Sequence, residues 1–188
     1  MRICFLFLLV FSLSSALFAD FEEPSEAVRA KQAVADFSKA LKSELVAAMQ
    51  SGGATEAIEV CHLRAAVIAE EVSSTTGMKL SRVSGRNRNP SNAPNDWQTA
   101  VLQDFEVRKR AGEEAGSLTW YERAETASGT EFRFMKAIPT GGICLQCHGT
   151  EIAEPVALKL AELYPEDKAT GFRAGDLRGA FVVTAPAD

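Results

Sequence analysis

Apolar residues recur at helical spacing through the first part of the chain. Val34, Phe37, Leu41, Leu45 and Met49 fall three or four residues apart between Ser25 and Gln50, with Lys31, Lys39, Lys42 and Glu44 outward and Gly52-Gly53 ending the run. A second period covers Thr55 to Thr76 before Gly77, with Ile58, Cys61, Ala65, Ile68 and Val72 on one stripe and many alanines that permit close packing. Met78 to Ser84 reads as a strand, and Gly85 to Asp96 as a polar loop built from Asn87, Asn89, Pro90, Asn92, Pro94 and Asn95. Asn95, with Gln98 three residues later, caps a helix that begins near Trp97, turns Trp97, Val101 and Phe105 inward and ends near Gly112. Ser117 to Thr126 and Thr130 to Ile138 are strands joined by Ala127-Ser128-Gly129; a short helix near Val156 to Leu163 and a strand over Leu177 to Thr184 follow. No repeat or low-complexity tract interrupts the run. Helices followed by antiparallel strands predict one α+β domain, an antiparallel sheet of a few strands packed with N-terminal helices.

Composition narrows the class. At 188 residues with 46% hydrophobic and 24% charged positions, the chain is neither disordered nor fibrous. About 70% of the unfolded surface of a chain this long is buried on folding, so a core forms without disulfide staples or a structural metal. The net charge of −5 offers no basic stripe, which argues against nucleic acid and anionic membrane surfaces as partners.

Residues 1–19 read as an export signal: Arg2 is the only charge, Ile3 to Phe18 is apolar apart from Ser12, Ser14 and Ser15, and small residues stand at Ser14, Ala16 and Ala19. Cleavage after Ala16 best satisfies the small-residue rule, whereas cleavage after Ala19 starts the mature chain at Asp20; both stay open. The apolar run is shorter than the roughly 20 residues of a membrane span, which weighs against an uncleaved anchor, and Cys4 precedes the run, which weighs against a lipoprotein. The expectation is a periplasmic or otherwise exported protein whose residues 20–188 form a single domain with no membrane span.

Export leaves three cysteines, Cys61, Cys144 and Cys147, an odd number in an oxidising compartment. Cys144-Leu145-Gln146-Cys147-His148 is the C-x-x-C-H pattern of covalent haem attachment, in which two thioethers form and the adjacent histidine binds iron. Two intervening residues let one tight turn present both sulfurs to one porphyrin and hold the next side chain over the metal. Gly141, Gly142 and Gly149 are read as permitting close approach of the backbone to a flat ligand. The competing readings are a redox-active dithiol, a Cys144–Cys147 disulfide, and zinc held by Cys144, Cys147, His148 and Cys61 or His62. The export signal favours covalent haem.

The second axial position has several candidates: Cys61, His62, a methionine from Met49, Met78 and Met135, or nothing. Cys61 and His62 are helix neighbours about 100° apart, so only one can face the iron. Cys61 lies on the apolar stripe, where it is equally readable as a buried free cysteine acting as a small hydrophobe. Among Arg86, Arg88, Lys168, Arg173 and Arg178, the pair Arg88 and Arg178 is expected to serve the haem propionates, because Asn-Pro or Gly residues bracket each of them.

Six separated segments resemble one family: Cys61-His62-Leu63-Arg64-Ala65, Arg88-Asn89-Pro90-Ser91-Asn92-Ala93-Pro94, Phe134-Met135-Lys136, Cys144 to Gly149, Tyr164 to Gly171, and Gly175-Asp176-Leu177-Arg178-Gly179-Ala180. The pattern is similar to the exported single-haem c-type domains with a PAS-like fold, a family usually classed as a domain of unknown function and also found as the outer sensor part of signalling proteins. The resemblance covers Ser25 to the C-terminus and departs at Ala66, where many members carry proline. It implies a PAS-like fold and iron ligated by His148 and Cys61. A thiolate-ligated iron of this kind is expected to serve a redox or small-ligand sensing module acting through a redox or signalling partner, with CO or NO as the kind of gas admitted if Cys61 leaves on reduction. A low-potential periplasmic electron-transfer cytochrome is the alternative. A peroxidase ranks well behind both, because a closed six-coordinate iron lacks the open site that peroxide chemistry needs. No kinase, methyl-accepting helix or membrane span follows the domain in this sequence, so action through a partner or by electron exchange is expected.

Overall fold

In the computed structural model, which describes residues 23–187, the chain opens with one long helical span, α1 (Ser25–Thr76), bent at Gly53. Residues 1–19, read as an export signal, and both expected cleavage positions lie outside the described residues. Gly53 has φ 72° and ψ −160°, a conformation that a residue without Cβ adopts at little cost. Arg29 donates to the Thr76 carbonyl at 3.3 Å, whereas a straight helix would hold those residues about 70 Å apart. The chain therefore reverses at Gly53, and residues 25–52 and 54–76 are two antiparallel arms. These are the two helices expected from the periodicity, joined by a single residue.

Next come β1 (Lys79–Val83), α2 (Asp96–Arg110), β2 (Thr119–Thr126) and β3 (Gly129–Pro139). A single helical turn, α3 (Leu145–His148), then α4 (Glu154–Leu163) and β4 (Leu177–Pro186) complete the domain. The strands make one fully antiparallel sheet in the order β1-β4-β3-β2. The last strand thus sits inside the sheet, between β1 and β3. The architecture is α+β, as expected, and is consistent with a PAS-like arrangement.

Both faces of the sheet are covered. Leu80, Val183, Phe134 and Tyr121 lie in register across the four strands and pack on Phe37 and Ile68 of α1. On the opposite face, Val182 and Met135 meet Val101, Leu102 and Phe105 of α2. Two-sided burial explains why β3 and β4 carry consecutive apolar residues where a half-solvated strand would alternate. A smaller third cluster, Ile58, Val156, Leu160 and Tyr164, fixes α4 against the second arm of α1.

The cap of α2 forms as expected. Asn95 Oδ1 accepts from the Gln98 amide at 3.1 Å, and Gln98 Oε1 accepts from the Asn95 amide at 3.0 Å. Asn95→Ala should cost about 1 kcal/mol in a denaturant titration, with an unchanged denaturant slope.

Candidate haem site

The C-x-x-C-H segment follows β3 and folds as a 3-10 turn over Gly142–Cys144 leading into α3. Gly149 ends the turn by donating to the Leu145 carbonyl at 2.9 Å. A Cβ at Gly149 would sit 2.5 Å from that same oxygen. The glycine is therefore required by the approach of the backbone to its own preceding turn. Two further bonds clamp the segment from outside: Gly171 N–H to Gly149 O at 2.7 Å and Phe172 N–H to His148 O at 2.9 Å.

The His148 ring is oriented by the same outer stretch of chain. Nδ1 lies 2.6 Å from the Ala169 carbonyl. A carbonyl only accepts, so Nδ1 carries the proton and Nε2 keeps its lone pair. Burial, followed by the charges of Arg178 and Arg88, pushes the imidazole pKa down to about 3. A neutral ring with one committed nitrogen is a preorganised metal ligand.

Opposite α3, the second arm of α1 supplies Cys61 to a cavity of about 350 Å3, within the usual range of small-molecule sites. The cavity gathers Cys61, Cys147, His148, Arg82, Arg88 and Arg178. Cys144 is half-buried on the preceding turn, outside the cavity lining. His62 also lines the cavity, but it is exposed and set edge-on to Tyr164, ring centroids 5.2 Å apart. Met78 and Met135 are packed in the two sheet cores, and neither they nor Met49 line the cavity. Of the side chains considered for a second ligand, the cavity thus presents Cys61 and His62, with Cys61 the more deeply set. Desolvation raises the Cys61 thiol above its ordinary pKa, although Arg82, Arg88 and Arg178 all pull it down.

The arginines divide by their partners. Arg88 is committed: it pairs with Asp167 at 3.0 Å and donates to the carbonyls of Cys147 at 2.5 Å and Ala169 at 3.4 Å. Its guanidinium straps the C-x-x-C-H turn to the 164–170 loop. Arg178 donates to Ser84 Oγ and to the Arg86 carbonyl, both at 3.2 Å, and its Nε is buried with no partner. Burial, then Arg88 and Arg82, lowers its pKa to about 10. Arg82, which the sequence pattern did not single out, has a side chain with neither ion pair nor hydrogen bond among the described residues; its guanidinium stands 5.3 Å from the centre of the Phe37 ring. A signal was available: in β1, Leu80 and Arg82 share a strand face, and Leu80 is core.

The donor set discriminates among chemistries. The described residues contain no group of three or more His, Cys, Asp or Glu placed to hold a metal ion, so zinc would lack its four protein ligands. Cys61, Cys144 and Cys147 are unpaired thiols. The Cys147 thiol is pushed up by burial, opposite to the lowered pKa of a reactive dithiol, and a four-residue helix supplies little dipole to reverse that. A porphyrin brings four nitrogens of its own and asks the protein for only two axial donors. One imidazole with a free Nε2, one thiol and two guanidiniums without carboxylate partners fit that demand.

No match was found among curated proteins. A solved structure, "Crystal structure of the cyanobacterial heme-protein Tll0287", is similar to this chain with a TM-score of 0.63 at 23% identity, covering 89% of this chain and 98% of that one. At that identity the likeness shows a shared fold. The family model described as Tll0287-like matches residues 20–186, nearly the whole domain read from the sequence. The chain belongs to the Tll0287-like family.

Proposed function

We propose that the protein is an exported haem c protein in which Cys144 and Cys147 each add across one vinyl group, His148 Nε2 and Cys61 Sγ are the axial ligands, and the centre serves as a redox- or small-ligand-responsive module. The observation that carries this reading is the convergence of Cys61 and His148, from α1 and α3, on one cavity next to the attachment turn. The similar solved structure is that of a heme-protein, which supports haem as the group bound.

A thiolate ligand donates electron density to iron and favours the ferric state, which sets a low potential compared with a histidine–methionine centre. The protein's own contribution is orientation. The Ala169 carbonyl fixes the His148 tautomer, and Arg88 fixes the turn that carries Cys147. With both axial positions filled by side chains the reading is not enzymatic, and signalling proceeds through a protein partner. One observation favours electron exchange as the second reading: Ile143, beside Cys144, is 40% exposed and leaves apolar surface at the attachment turn where a redox partner could dock. No helix among the described residues is long and apolar enough to cross a membrane.

The test is the intact mass of protein from a host with c-type haem maturation. A mass increment of one haem that disappears in Cys144→Ser and Cys147→Ser together is expected. An unmodified mass, or stoichiometric zinc by elemental analysis, overturns the reading. Addition of CO to the reduced protein separates the two roles: a new bound-CO spectrum supports sensing, and an unchanged spectrum supports electron transfer.

A further inference from the structure

We infer that Arg82 and Arg178 are the paired seats of two inward-facing carboxylates, so that the haem enters this cavity with its propionates turned toward β1 and β4 and away from solvent. The inference rests on the haem reading above and assigns Arg82, in place of Arg88, as Arg178's counterpart.

The charges around the cavity are out of balance. Three guanidiniums reach the cavity, and the described residues satisfy only one of them with a carboxylate, Asp167 on Arg88. The sole carboxylate among the lining residues, Glu70, is exposed and forms no ion pair among the described residues. The Arg82 guanidinium has no polar partner among the described residues, and the buried Arg178 Nε has none either. A partly buried charge without a counter-charge is costly, and a chain that keeps two half-buried guanidiniums without carboxylates in one cavity is arranged for anions that come from outside. Haem carries two carboxylates, matching the two guanidiniums that have no carboxylate partner.

Placement agrees with the count. Arg82 comes from β1 and Arg178 from the start of β4, neighbouring strands, so both project from the sheet side of the cavity. They stand toward different ends of it. Arg82 stands 5.3 Å from the Phe37 ring on α1, the element that carries Cys61, whereas Arg178 stands 5.2 Å from the Phe172 ring, which meets His148 edge-on at 6.3 Å. A planar ligand between Cys61 and His148 therefore meets one guanidinium toward each face, and propionates that bend to opposite sides of the ring can engage both. Arg88 is withdrawn from this task because its donors already serve Asp167, Cys147 and Ala169.

The experiment uses the haem-loaded full-length protein and the variants Arg82→Met, Arg82→Lys and Arg178→Met, read by resonance Raman of the propionate bending bands and by potentiometry across pH 5 to 8. In the parent, the bands should report ion-paired propionates and the potential should be flat with pH. Arg82→Met and Arg178→Met should each shift the propionate band and lower the potential, since a cation that favours ferrous iron is lost. Each should also add a pH dependence, because an unpaired propionate takes up a proton as the solution is acidified. Arg82→Lys should restore the flat profile. Unchanged bands and potentials in both Met variants would overturn the inference and place the carboxylates in solvent. A parent protein with no haem in its mass spectrum would instead overturn the underlying reading, so the two failures are distinguishable.

Discussion

Replacing Cys61 with alanine should convert the oxidised haem from low spin to high spin or water-bound and raise its potential by on the order of 100 mV, within the roughly 0.8 V range that axial ligands command. The expectation follows from charge: ferric iron holds an anionic sulfur more tightly than ferrous iron does, so removing the sulfur destabilises the oxidised state selectively. For the same reason the bond should be weaker in the reduced protein, where protonation and release of the thiol would open a position for CO or NO. His62 is the control. It adjoins Cys61 in the chain, is exposed, and leans on Tyr164, so His62→Ala should leave the optical spectrum nearly unchanged. Optical and electron paramagnetic resonance spectra of the two variants decide the matter. The opposite outcome, with His62→Ala high spin and Cys61→Ala unaltered, would make His62 the ligand and the protein a bis-histidine carrier.

Local patterns were legible from the residues themselves. The reciprocal Asn95 and Gln98 bonds, the stripe that places Ile58, Ala65 and Ile68 inward, and the positions of β3 and β4 along the chain each depend on neighbours within a few positions. What escaped the sequence is nonlocal. The path of the chain at Gly53 was one such feature: two glycines mark the end of a helix equally well whether the next helix turns aside or folds straight back. The placing of β4 between β1 and β3 was another, because alternation of side chains says nothing about which strand lies alongside.

The arginines show the same limit at the site. Arg88 stands in a loop of Asn and Pro residues and reads as available, yet its carboxylate partner is Asp167, far along the chain. Arg178, bracketed by loop residues at a strand start, reads as a cation of the haem edge, and the sheet carries it inward toward Ser84. Arg82 passes for an ordinary solvated strand residue until α1 is seen to cover that face. The C-x-x-C-H segment was visible because its chemistry is contained in five consecutive residues. Its supports, Ala169, Arg88 and Asp167, were not, because they reach it only through the fold.

The support with the greatest expected effect on stability is the Arg88–Asp167 pair. The two side chains are only 10% and 11% exposed, and Arg88 also donates to the Cys147 carbonyl at 2.5 Å. Asp167 meanwhile accepts from the Ala169 amide at 2.8 Å, holding the residue whose carbonyl orients His148. Arg88→Met should therefore destabilise the haem-loaded protein by about 3–5 kcal/mol, most of it from leaving the Asp167 carboxylate buried without its cation. Arg88→Lys should recover only part, since one ammonium cannot span the carboxylate and two carbonyls as a planar guanidinium does. Combining Arg88→Met with Asp167→Asn should cost less than the sum of the two single changes, because the second change removes the uncompensated charge. Denaturant unfolding of the parent and these variants measures all of this, and a loss below about 1 kcal/mol in Arg88→Met would show the pair to be no stronger than a surface ion pair. The same variant should broaden the haem absorption bands, because the turn bearing Cys147 and the carbonyl that orients His148 lose their common anchor.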